Sequence, residues 1–65
     1  MNLTERENFI LRRIAEGKTS VEIADELGLK NETIKWYRKR MLSKFQATSS
    51  LDMVMKAIGM KILPS

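Results

Sequence analysis

Neither histidine nor cysteine occurs in this chain of 65 residues. Their absence excludes a zinc finger, an imidazole base, a thiolate nucleophile and a disulfide framework, and it fits a reducing cytoplasm. Proline occurs once and glycine three times, so the composition is globular rather than fibrous or disordered. Long hydrophobic runs are also missing. Met53-Val54-Met55 stops at Lys56, far short of the roughly 20 apolar residues of a membrane span. The opening Met1-Asn2-Leu3-Thr4-Glu5-Arg6-Glu7 is too acidic and polar for a signal peptide. The expectation is a cytoplasmic, non-enzymatic chain with no metal, cofactor, membrane segment or small-molecule ligand.

At this length a chain buries only about 60% of the surface its unfolded form exposes, so residues 1–65 read as one small domain. What is abundant is positive charge. The formal net charge is +4 and the isoelectric point near 9.8, which favours an anionic partner. Between residues 30 and 44, Lys30, Lys35, Arg38, Lys39, Arg40 and Lys44 face a single carboxylate, Glu32. Elsewhere acids slightly outnumber bases, so one segment carries the whole excess.

Local signals divide the chain into four helices. Thr4 with Glu7 three residues on is a capping box, in which hydroxyl and carboxylate satisfy each other's backbone N–H. Ile10, Leu11, Ile14 and Ala15 follow at helical spacing, and Gly17 supplies a left-handed stop, giving a helix over about 5–16. Thr19 and Glu22 repeat the box, and Ile23, Ala24 and Leu27 run to Gly28, giving about 20–27. A short turn leads into the basic stretch, where Ile34, Tyr37, Met41 and Phe45 form one stripe with Leu42 beside it, giving about 31–45. Thr48-Ser49-Ser50 breaks that helix, and Ser49 with Asp52 reads as a third box opening a helix over about 50–60. No β-alternation is present, and the fold class is all-α.

A short helix, a glycine turn and a cation-loaded helix form a helix-turn-helix arrangement, in which the third helix can enter a major groove while the second crosses the backbone. With Ile34, Tyr37, Met41 and Phe45 turned inward, Glu32, Lys35, Trp36, Lys39, Arg40 and Ser43 fall on the opposite face.

The same residues carry a family resemblance. Leu3-Thr4-Glu5-Arg6-Glu7, Ala15-Glu16-Gly17, Glu22-Ile23-Ala24-Asp25-Glu26-Leu27, Thr33-Ile34-Lys35 and Lys44-Phe45 stand in register without a gap. Together they resemble the LuxR-type (FixJ/NarL, GerE-like) helix-turn-helix domain of bacterial transcription regulators, from Leu3 to Leu63. Several positions depart from that pattern. Tyr37 replaces a usual histidine, Ser50 a frequent arginine, and Arg13 a leucine, while Phe9 sits at a usually polar position. Lys30 replaces the capping serine of the third helix and leaves Asn31 to cap one residue later. Lys61 replaces a glycine, so a different course of the tail is expected.

The resemblance implies base contacts by the residues following Thr33, namely Lys35, Trp36 and Lys39. Their shared face agrees, since lysine donates to guanine O6 or N7 and an aromatic edge meets a thymine methyl. Thr33, Arg38, Arg40 and Lys44 suit phosphate, as do Lys18, Thr19 and Ser20 at the start of the second helix. Each assignment has a plainer rival. Trp36 can pack on a neighbouring molecule, Arg38 can lay its stem over the apolar stripe, and Glu22, Asp25 and Glu26 read as a solvated acidic face. Tyr37 reads as core with its hydroxyl toward a phosphate, and the methionines read as core and interface filler.

The fourth helix is apolar on too many sides. Met53, Val54, Ala57 and Met60 form one stripe and Leu51, Met55, Ile58 and Ile62 another, a combined arc of roughly 220° where docking on a core needs little more than 100°. A second copy using Leu51, Met55 and Ile58 is the simplest recipient, giving a homodimer on DNA, and members of the resembled family pair through this helix; the plainer rival is that the domain wraps both stripes with its own loops or that a further domain covers them. The reading is therefore sequence-specific binding of double-stranded DNA by a bacterial transcription regulator, with RNA polymerase a candidate further partner and no receiver or ligand-binding domain of its own. Two rivals stand beside it: an interaction module that heterodimerises with another regulator through the fourth helix, and a basic amphipathic helix lying on anionic membrane, which would have only Trp36 to insert. Whether the chain is a complete small regulator or an excised output domain stays open.

Overall fold

The structure, a computed structural model, describes residues 2–65. Four helices follow in order: α1 (Glu5–Ala15), α2 (Ser20–Leu27), α3 (Asn31–Phe45) and α4 (Ser50–Gly59), with no strand among the described residues. Predicted boundaries agree to within one residue at every helix end.

The first two caps form as the sequence implies. At α1 the Glu7 N–H donates to Thr4 Oγ1 at 3.1 Å and the Thr4 N–H donates to Glu7 Oε1 at 3.0 Å. At α2 the Glu22 N–H donates to Thr19 Oγ1 at 3.2 Å and the Thr19 N–H to Glu22 Oε1 at 2.8 Å. Gly28, at φ 67°, closes α2 in the left-handed region, with the Leu29 N–H returning to the Ala24 carbonyl at 2.9 Å. That closing geometry sets the tight turn that swings α3 across α2.

Three expectations about helix ends require correction. Asn31 does not cap α3: Lys30 occupies the cap position without a side-chain hydrogen bond, and Asn31 is the first helical residue, its buried Oδ1 unpartnered. Only half of the third box forms. The Asp52 N–H donates to Ser49 Oγ at 3.1 Å, but the Asp52 carboxylate accepts from the Thr48 N–H at 3.0 Å instead of reaching Ser49. Finally, Lys61 does not redirect the tail. It adopts φ 61°, the conformation a glycine would take, and the Ile62 N–H reaches the Ala57 carbonyl at 2.9 Å. Gln46 does the same at the end of α3, at φ 53°, so α3 stops there before the Thr48-Ser49-Ser50 segment.

The core gathers Ile10 and Leu11 from α1, Ile23 and Ala24 from α2, Ile34, Met41 and Phe45 from α3, Met53 and Ala57 from α4, and Leu63 from the tail. Helix α3 touches all three other helices, so its orientation is fixed from three sides. Tyr37 is half-buried rather than core, and Met60, placed by periodicity on the docking stripe, is 50% exposed. The departures in α1 are mutually compensating: the Arg13 guanidinium lies over the Phe9 ring at 5.0 Å and pairs with Glu16 at 2.8 Å and with Glu26 of α2 at 2.9 Å. Glu26 therefore ties two helices together and does not belong to a wholly solvated acidic face. No helix among the described residues is long and apolar enough to cross a membrane.

Candidate nucleic-acid interface

Helix α3 buries Ile34, Met41 and Phe45 and leaves Lys35, Trp36, Arg38, Lys39 and Arg40 exposed. Spacings of four residues align Lys35 with Lys39 and Trp36 with Arg40. Trp36 is 54% exposed, a large apolar area for a surface residue. Its ring meets the Tyr37 ring edge-on at 5.1 Å, and the Arg40 guanidinium lies over it at 5.3 Å from the centroid. Trp36, Lys39 and Arg40 together line a shallow surface depression. The three residues assigned to base edges thus occupy one accessible face, and Arg40 joins them there.

A second group assembles where α2 begins. Lys18, Ser20, Arg38 and Ser50 line one cleft floored by Ile14, Ile23 and Ile34. Arg38 Nη1 donates to Ser50 Oγ at 3.0 Å, so Arg38 is neither free nor simply laid over the apolar stripe. It is held at the junction of α3 and α4 with its remaining donors available. Thr19 beside this cleft serves the α2 cap; its hydroxyl accepts there and retains a proton to donate. Glu22 closes the same helix end, and the Thr19 backbone N–H, followed by the Thr19 side chain, lowers its carboxyl from the ordinary 4.5. A carboxylate held ionised at that end tempers the positive potential that the helix dipole supplies. Thr33 is half-buried in the first turn of α3.

Lys44 is placed differently from the other cations. Its Nζ donates to both carboxylate oxygens of Glu7 at 3.0 Å, while Glu7 is 2% exposed. Arg40 Nε approaches the same carboxylate at 3.9 Å. The Thr4 N–H is the main influence lowering the Glu7 carboxyl from its ordinary 4.5; burial opposes it, and Lys44 lowers it further. Periodicity places Glu7 in the α1 cap but carries no signal that a lysine 37 residues later completes its environment. No cluster of acidic side chains suited to a metal ion occurs among the described residues.

On α4, Leu51 is 72% and Met55 61% exposed, while Ile58 is half-buried. Met53 and Ala57 are fully buried on the other side, so the helix docks through one stripe and leaves Leu51 and Met55 in solvent, while Ile58 packs partly against the core.

Residues 1–57 match the family model described as bacterial regulatory proteins, luxR family. The chain belongs to the LuxR family. Among LuxR-family relatives it resembles the uncharacterized response regulatory protein YgeK of Escherichia coli (strain K12), 37% identical over 60 residues, covering 92% of this chain and 41% of that protein. Regulatory protein SdiA of the same organism is 47% identical over 47 residues, 72% of this chain and 20% of SdiA. The transcriptional regulatory protein DesR of Bacillus subtilis (strain 168) is 33% identical over 55 residues, 85% of this chain and 28% of DesR. The chain spans less than half the length of these curated relatives. No solved structure gives a significant match.

Proposed function

We propose that this LuxR-family chain binds double-stranded DNA sequence-specifically in transcription regulation, with α3 in the major groove. The observation that carries the reading is the exposed face of α3, where Lys35, Trp36, Lys39 and Arg40 project from a helix anchored by three others. Lys35, Trp36 and Lys39 address base edges. Lys18, Thr19, Ser20, Thr33, Arg38 and Arg40 address phosphates on either side, the first three as α2 crosses the backbone. Lys44, suited to phosphate by position, is held on Glu7 and stands outside this set.

Two copies pair on DNA through the ridge of exposed Leu51 and Met55 with half-buried Ile58. Two such ridges bury less than about 800 Å² in total, small for a stable interface. Pairing therefore depends on the DNA, whose half-sites hold the copies at high effective concentration. The same ridge supports a second reading, a modulator that heterodimerises with another regulator, and binding of DNA by this chain alone discriminates the two.

The salt dependence of duplex binding tests the proposal. With about three phosphates neutralised per copy, by Lys18, Arg38 and Arg40, log K falls by about 0.9 per contact for each unit of log salt. An affinity indifferent to salt would remove the proposed face.

A further inference from the structure

Trp36, Arg40 and Lys44 stand at i, i+4 and i+8 on α3, one continuous ridge, and Glu7 of α1 docks against its far end. The links along that ridge are specific. Both Glu7 oxygens accept from Lys44 Nζ at 3.0 Å, Arg40 Nε lies 3.9 Å from Glu7 Oε2, and the Arg40 guanidinium lies 5.3 Å from the Trp36 ring centroid. Glu7 is itself immobilised by its reciprocal bonds with Thr4 and by burial to 2% exposure.

We propose that Glu7 is a positioning residue for the DNA-binding face: it withholds Lys44 from phosphate and steadies Arg40 over Trp36, so that the face presents a fixed arginine–tryptophan platform in place of two mobile side chains. The inference rests on the DNA-binding reading above. A lysine and an arginine free to seek phosphate strengthen binding to any sequence, since phosphate contacts carry no base information. With Lys44 held on one buried carboxylate and Arg40 reaching phosphate only from its fixed place over Trp36, the two cations contribute less to indiscriminate binding. The stacked Trp36 also meets a base with less ordering still to be lost. Glu7 thus favours discrimination at the expense of total affinity.

Glu7→Gln separates this role from the cap: the amide oxygen in the place of Oε1 still accepts from the Thr4 N–H, whereas loss of the charge leaves Lys44 with that one neutral oxygen and the amide nitrogen in the place of Oε2 no longer attracts Arg40. Trp36 is the only tryptophan in the chain, so acrylamide quenching of the free full chain reports directly on its coverage. Arg40→Ala is expected to raise the quenching constant about 1.5-fold by uncovering one ring face, Glu7→Gln to raise it equally, and the double variant no further. A rise in Arg40→Ala without one in Glu7→Gln overturns the link between Glu7 and Arg40; no rise in either overturns the platform.

On DNA, Glu7→Gln is expected to bind a random duplex more tightly, with a salt exponent steeper by about 1 to 2, while its preference for a selected site falls about fivefold. A parallel loss on both duplexes, as a purely structural role would give, overturns the proposal. If circular dichroism shows Glu7→Gln unfolded, Glu7→Asp takes its place, keeping the charge but retracting it by one methylene; a quenching constant equal to that of the unaltered chain then overturns the link. An unaltered chain that binds no DNA overturns the underlying reading, while the quenching comparison still decides whether Glu7 holds Arg40.

Discussion

Lys44 Nζ lies 3.0 Å from each carboxylate oxygen of Glu7, joining the last turn of α3 to the first turn of α1 across 37 residues. The contact satisfies an acid that burial alone would penalise, and it fixes α3 against the helix that begins the domain. Removing the lysine leaves that buried carboxylate with the more distant Arg40. Lys44→Ala is therefore expected to lower stability by about 1–3 kcal/mol, measured by urea denaturation. An unchanged midpoint would show the pair to be energetically idle.

The pH dependence follows from the same group. The Glu7 carboxyl titrates below its ordinary 4.5, chiefly through the Thr4 N–H and then through Lys44. Glu22 and Asp52 are lowered from their ordinary values mainly by the Thr19 and Thr48 N–H groups. With folded values below unfolded ones, their stabilisation is complete above the unfolded values and is lost as pH falls through the folded ones. Stability measured by circular dichroism is expected to hold level above about pH 5 and decline below it, with a shallower decline in Glu7→Gln. Stability that rises on acidification contradicts this assignment.

Base and backbone contacts separate by their response to sequence. Lys35→Ala and Lys39→Ala are expected to cost about 1–3 kcal/mol on a preferred site and less on random duplex. Equal losses on both duplexes would make these lysines phosphate contacts.

The α4 ridge is open to a charge substitution because Met55 is 61% exposed. Met55→Lys is expected to retain the helical circular dichroism spectrum and single half-site binding while losing cooperative occupancy of a palindrome. Unfolding would place Met55 in the core, and normal cooperativity would move the interface to another surface.

What the sequence makes legible is what neighbouring residues decide among themselves. Thr4 with Glu7 and Thr19 with Glu22 reach each other within one turn, and Gly28 takes a left-handed conformation whose cost is low without a Cβ. Helix count, order and boundaries follow from such local chemistry. Gln46 and Lys61 escape it, because they take the same conformation at φ 53° and 61° without the residue type that signals it; tertiary packing of the adjoining helices outweighs their local preference. The exposed face of α3 is legible because burial of Ile34, Met41 and Phe45 determines what remains outside. The partners of Arg13, Arg38 and Lys44 are not, since Glu26, Ser50 and Glu7 become neighbours only when helices pack. Periodicity also overextends the docking stripe of α4 to Met60, which lies where the helix ends and its side chain leaves the core.

Random-site selection with the purified chain of 65 residues bears most directly on the DNA-binding reading, since one outcome reports binding, sequence preference and symmetry together. Enrichment of a palindrome whose half-sites lie about one helical turn apart, roughly 34–36 Å, is the expected result. Recovery of unselected sequence, with no enrichment over the starting pool after repeated rounds, would contradict sequence-specific recognition by α3.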